Sequence, residues 1–199
     1  MEIANYSELF GIEPNEIKPA KNTLLIANPV LDEVWFNRSV IYLTSFDKDI
    51  MGFVQNKLFP FTLNSVVDTF KSFPDIPLYC GGPVEGDRLF FLHTLGGIIS
   101  ESEYIGNGIS IGGDMLSVLS YLSAGNKIDG YIKFFLGYSG WSKEQLKMEV
   151  RTQTWGVLQP QGDDFMYAAN NEKMWRKYLN QLGEGYASWL RVPPSPIFN

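Results

Sequence analysis

Gly137-Tyr138-Ser139-Gly140-Trp141-Ser142-Lys143-Glu144-Gln145-Leu146-Lys147-Met148-Glu149-Val150-Arg151 is the stretch around which the rest of the chain is organised. It reads as a glycine-punctuated turn feeding a helix. Ser142 and Gln145 have the spacing of a capping box, and Trp141 ahead of the cap is placed to close over Leu146 as a hydrophobic staple. On a helical wheel, Leu146 and Val150 mark the buried face, with Lys143, Lys147 and Arg151 on one flank and Gln145 and Glu149 on the other. Glu149 lies close enough to the apolar face to need a partner. The expected cation is Arg38, isolated in an otherwise apolar strand from Phe36 to Leu43, because a buried charge must be paired.

Working outward, Tyr131 to Leu136 reads as the strand that enters this segment, and Trp155 to Leu158 as the strand that follows it. Thr23 to Ala27 is a near-continuous apolar run, the pattern of a strand buried on both faces. Ser39 to Thr44 and Met51 to Asn56 flank Asp47-Lys48-Asp49 and form the clearest hairpin. Thr62 is expected to cap a helix carrying Leu63, Val66, Val67 and Phe70, ended by Pro74. Leu78-Tyr79-Cys80 runs into Gly81-Gly82-Pro83-Val84, and Arg88 to Thr94 is another strand. Asn107-Gly108 predicts a type I′ hairpin turn. Asp114 caps a helix that ends before Gly125, and Asn170 or Asn171 starts one that ends at Gly183. Residues 5–11 suggest a short helix within an N-terminal appendage, 1–20, while 192–199 should be an extended tail. Strands and hairpins interspersed with three or four helices predict an α+β fold on a largely antiparallel sheet.

Composition narrows the rest. The 199 residues, 45% hydrophobic, suffice for one domain spanning 1–199. A net charge of −6 disfavours phosphate backbones and anionic lipid. A single cysteine, Cys80, suits a reducing cytoplasm and leaves no internal disulfide. Met1 to Tyr6 lacks the basic and apolar regions of a secretory signal, and no run approaches the roughly 20 apolar residues of a membrane span.

Leu24-Leu25-Ile26-Ala27-x-Pro29, Phe36-x-Arg38-Ser39-Val40, Gly52-x-Val54-x-Asn56, Tyr79-x-Gly81-Gly82-Pro83-Val84, Leu92-His93-Thr94, and Gly137-Tyr138-Ser139-Gly140-Trp141 with Gln145-Leu146 and Glu149 together resemble the AlgH/YqgE family of bacterial proteins. The resemblance covers roughly residues 20 to 185. It implies a single α+β domain with a bifurcated sheet folded into a pseudo-barrel. It also passes on a label of transcriptional regulator, with no catalytic residues attached. Asn22, Gln55 and Lys143-Glu144 depart from the family pattern outside its glycine-rich cores.

The chemical candidates are modest. Gly137-Tyr138-Ser139-Gly140 approaches a nucleophile elbow, but Trp141 stands where a glycine is needed and His93 is the only histidine available as base. Cys80 precedes two glycines, yet free cysteine is usually a buried hydrophobe. The glycines from Gly106 to Gly113 lack phosphate-loop spacing, and Asp114 would repel phosphate. One His and one Cys fall short of a metal set. No metal or cofactor is expected. A non-catalytic cytoplasmic protein that binds a small ligand or a protein partner fits best, with Arg38, Asn56, Gly81, Gly82, Pro83, Ser139, Gly140, Trp141, Gln145 and Glu149 as candidate contacts. Direct nucleic-acid binding is the alternative, and a hydrolase using Ser139 or Cys80 the third.

Overall fold

The computed structural model describes residue 12, residues 16–168 and residues 171–194. The expected helix at 5–11, the position Asn170 and the end of the tail from Ser195 lie outside these residues. Strands β1 (Leu24–Ala27), β2 (Val40–Phe46), β3 (Ile50–Val54), β4 (Leu58–Thr62), β5 (Pro77–Cys80), β6 (Val84–His93), β7 (Glu103–Gly106), β8 (Ile109–Ile111), β9 (Ile132–Trp141) and β10 (Trp155–Leu158) form one curled sheet. Among the described residues four helices accompany it: α1 (Leu63–Val66), α2 (Met115–Ser123), α3 (Lys143–Arg151) and α4 (Asn171–Gln181). The order across the sheet is β10-β1-β2-β3-β9-β6-β8-β7, with β5 beside β9 and β4 beside β5. All pairings are antiparallel except β5 with β9. The result is an α+β half-barrel.

The sheet forks along β9. Phe134 to Leu136 pair in parallel with Leu78 to Cys80 of β5, and Ser139 to Trp141 then pair antiparallel with Ile50 to Gly52 of β3. Gly137 sits between the two registers with φ +68, a conformation that a β-carbon penalises. The expected turn over Gly137 to Trp141 is therefore the second half of a ten-residue strand. Glycines suggest a turn locally, but the two partner strands supply ladders on either side of the kink, which is the behaviour of a bulge.

Both faces of the sheet are covered, so strand side chains bury in alternation. Leu24 and Ile26 face Trp175, Tyr178 and Leu179 of α4, whereas Leu25 and Ala27 face Leu146 of α3 together with Trp141 and Trp155. This explains the continuous apolar run at β1. A third core gathers Phe91 and Phe134 of the sheet under Leu63, Val118 and Leu122 of α1 and α2.

Several expectations hold. The β2–β3 hairpin forms, Asn107 and Gly108 take φ +51 and +78, and the Asp114 carboxylate caps α2 by accepting from Leu116 and Ser117. Two fail. Thr62 makes no side-chain cap and belongs to β4, and the helix after it stops at Val66 before a 3-10 turn, Asp68–Phe70. The Asn64 amide organises this segment instead, donating to the carbonyls of Phe70 and Phe73 while its oxygen accepts from Ile76 N. β4 itself is hidden in the sequence because Pro60 interrupts it, which an edge strand tolerates.

Candidate functional site

The two glycine-rich motifs meet backbone to backbone inside the fork. Gly81 N donates to Leu136 O at 2.9 Å, and Gly81 O accepts from Val54 N at 3.0 Å and from Ser139 Oγ at 3.0 Å. A β-carbon on Gly81 would lie 2.1 Å from Gly137 O, and one on Gly82 2.4 Å from Ser139 Oγ. These contacts leave no room for a ligand between Gly81-Gly82 and Gly137 to Ser139. Pro83 is exposed just beyond them. Ser139 is fully buried. Its proton goes to a main-chain carbonyl, so the nucleophile-elbow comparison ends there.

The other potential reactive groups are equally occupied. His93 Nε2 lies 3.0 Å from Gly112 O, and its Nδ1 accepts from Leu95 N at 3.1 Å. These contacts select the neutral Nε2–H tautomer, in keeping with burial pushing the imidazole pKa down. Burial raises the Cys80 thiol pKa, opposed by Gly82 N–H and by Lys57. A buried thiol held protonated is a poor nucleophile.

Glu149 and Arg38 do not pair. Glu149 Oε2 accepts from Trp141 Nε1 at 2.9 Å and from Trp155 Nε1 at 2.7 Å, and Oε1 accepts from Gln145 Nε2 at 2.9 Å. Three neutral donors thus satisfy a carboxylate that is 5% exposed. Only half of the capping box survives: Ser142 Oγ accepts from Gln145 N, while the Gln145 side chain turns forward to Glu149. Trp141 does share a core with Leu146, but its indole N–H is what ties the end of β9 to α3.

Arg38 lies in the turn preceding β2, not in the strand, and its φ is +50. The side chain is directed to the C-terminal layer. Its Nη1 meets Glu172 Oε1 at 2.5 Å, its Nη2 donates to Val192 O at 2.7 Å, and the guanidinium stacks 4.6 Å from the Trp175 ring. The sequence could not reveal this because Glu172 is 134 positions away. Asn56 links the β2 entry to the β3 exit, donating to Arg38 O and accepting from Val40 N, both at 2.9 Å. Its side chain is pinned by the main chain.

An open groove does exist, at the far end of the fork. It has a volume of about 630 Å³ and is lined by Gly140, Trp141, Ser142 and Gln145 on one side, the Asp47-Lys48-Asp49 turn on the other, and Tyr138, Val84 and Glu103. Gly140 and Gln145 are exposed there. Glu103 is paired with Lys21 at 2.7 Å. Of the candidate contacts, the fold brings Gly140 and Gln145 together on an accessible surface, with the buried Trp141 at its base. The flank of Lys143, Lys147 and Arg151 faces solvent.

Sequence reading overlooked Lys133, the one cation within the apolar run from Tyr131 to Leu136. It is 2% exposed. The same signal that singled out Arg38, a lone charge in an apolar strand, could have found it. Among the described residues, no three His, Cys, Asp or Glu side chains gather as metal ligands, and no helix is long and apolar enough to cross a membrane.

A family model described as AlgH-like matches residues 24–187. A UPF0301 protein from Bacteroides thetaiotaomicron is 38% identical over 194 residues, covering 97% of this chain and 98% of the relative. A UPF0301 protein from Parabacteroides distasonis is 38% identical over 199 residues, covering 99% and 100%. Among solved structures, a Corynebacterium diphtheriae protein superposes with a TM-score of 0.68 at 17% identity, covering 92% of this chain and 97% of that one. The AlgH protein from Pseudomonas aeruginosa superposes with a TM-score of 0.66 at 23% identity, covering 90% and 98%. These two likenesses establish a shared fold.

Proposed function

The chain belongs to the AlgH-like family, and from that premise we propose that it is a non-catalytic binding protein of the cytoplasm whose partner docks in the groove between the Asp47-Lys48-Asp49 turn and the start of α3. The partner is an extended, basic segment of another protein. One observation carries this reading. The groove sets the exposed candidates Gly140 and Gln145 side by side, while Ser139, Cys80 and His93 are committed to main-chain contacts or burial.

Asp47 and Asp49 outnumber Lys48 on the turn, and Lys21 already balances Glu103. The groove therefore favours a basic segment, and the exposed Gln145 amide adds a donor and an acceptor for peptide groups. Any regulatory effect on transcription would pass through this protein contact. Direct DNA binding suffers from the net charge of −6.

The test is a photo-activated cross-linker at position 145, with a control at the exposed Lys71. The expected result is a protein captured from the native cell at 145 alone, whose cross-linked peptide is rich in Lys and Arg. Equal capture at both positions, or an acidic cross-linked peptide, would overturn the reading.

A further inference from the structure

Away from the groove, a second cavity of about 210 Å³ opens beside β9 and is lined by Asp75, Tyr79, Ile128, Asp129, Lys133 and Met166 among others. Its volume is below the roughly 300 Å³ at which drug-sized sites begin, so an occupant must be small. Lys133 Nζ donates to Gln55 O at 2.9 Å and to Phe165 O at 2.6 Å, with Tyr167 O further off at 3.5 Å. The amine also lies 4.4 Å from the centroid of the Tyr79 ring. Among the described residues, no carboxylate stands within ion-pairing distance of it. The contrast with Arg38, which has Glu172, is informative. Carbonyl dipoles hold the Lys133 donors in place without supplying the counter-charge that normally keeps a buried lysine ionised.

We propose that this cavity binds small aldehydes or ketones and that Lys133 forms a reversible imine with them. The amine lone pair makes the new C–N bond while the carbonyl π pair moves onto oxygen. One proton passes from the cationic nitrogen to the alkoxide to give the neutral carbinolamine, whose nitrogen then gives up its second proton while its hydroxyl gains one and leaves as water. A C=N bond has then replaced the C=O bond, and nothing is oxidised or reduced. The step needs a neutral amine, which retains two N–H donors, the number of short carbonyl contacts seen. Burial pushes Lys133 down to about 7, with Asp129 opposing, so a substantial fraction is neutral where exposed lysines remain ammonium. Apolar walls from Ile128, Ile132 and Met166 favour a short hydrocarbon substituent and help exclude the water that would hydrolyse the imine.

Reductive trapping decides the matter. The native full-length chain is incubated near neutral pH with propanal or glyoxylate and cyanoborohydride, and adducts are mapped by peptide mass spectrometry. Lys133 should be modified about ten-fold or more faster than exposed Lys143 and Lys147, because the neutral-amine fraction rises with each unit of depressed pKa. Lys133→Arg should lose that adduct alone. Asp129→Asn removes the charge that raises the Lys133 pKa, so it should speed labelling of Lys133 and leave Lys143 unchanged. Labelling of Lys143 and Lys147 with Lys133 untouched until urea unfolds the chain would overturn the proposal. So would modification of Lys133 at the rate of the surface lysines, and because both results come from the unmutated protein, neither depends on a variant folding.

Discussion

The Glu149 carboxylate gathers two indoles and an amide, and replacing it tests whether that cluster is a structural clasp. Glu149→Gln puts an NH2 group where only donors converge. We expect a loss of about 1–3 kcal/mol, the usual cost of an unmatched buried polar group, read from urea unfolding. A double-mutant cycle with Trp155→Phe should show coupling, and additivity would deny the contact. At Ser139, Ala removes one hydrogen bond to Gly81 O. Ser139→Ala should cost about 1 kcal/mol and leave partner capture intact. Loss of capture in a protein of unchanged stability would return the serine to the functional site. Much of this was legible: Glu149 near an apolar face demands a partner on physical grounds alone. Its identity was not, because spacing along one helix does not reveal which indoles approach from β9 and β10.

Sequence reading recovered elements best where one local signal dominates, as in the β2–β3 hairpin, the Asn107-Gly108 turn and the Asp114 cap. It failed where a distant partner changes the meaning of a local signal. Gly137 suggests a turn until β5 and β3 are known to pair with β9 on either side of it, and Pro60 hides an edge strand. The fork makes a test at this scale. Gly81→Ala would place its methyl 2.1 Å from Gly137 O, with the Phe53 ring 3.0 Å away. It should destabilise by about 3 kcal/mol or more, at or beyond the upper end of the usual range for one substitution, measured as a fall in melting temperature. Tolerance of alanine would show that the fork is slack. The buried Lys133 of β9 gives a pH signature. Its pKa of about 7 in the folded chain lies below the value of about 10.4 expected when unfolded. Between those values the unfolded chain binds more protons, so stability rises with pH across that window. Lys133→Met should flatten this rise relative to the unmutated chain, followed by urea midpoints at neutral and alkaline pH. Parallel profiles for the two proteins would contradict it.

Over the whole molecule, the half-barrel is tied together at places that use up polar groups: the fork, the Trp-Glu-Trp clasp and the Arg38 clamp on the C-terminal layer. Removing Glu172 with Gln would leave Arg38 buried beside a neutral group. The expected cost is about 1–2 kcal/mol, less than for a fully buried pair because the Glu172 side chain is 34% exposed and solvent screens it, with hydrogen exchange accelerated first in α4. Uniform acceleration across the sheet would show that the clamp is not local. The family's fold was readable from the joint pattern of motifs, whereas the groove emerges only when the β2–β3 turn and the start of α3 are placed side by side. The proposed function therefore rests on the groove and not on the glycine motifs. The most direct measurement is partner capture at position 145 by the Asp47→Lys/Asp49→Lys variant, taken together with its melting temperature. A groove that recognises a basic segment predicts an unchanged melt, since both residues are on a surface turn, and abolished capture; undiminished capture by the folded charge-reversed protein would contradict it.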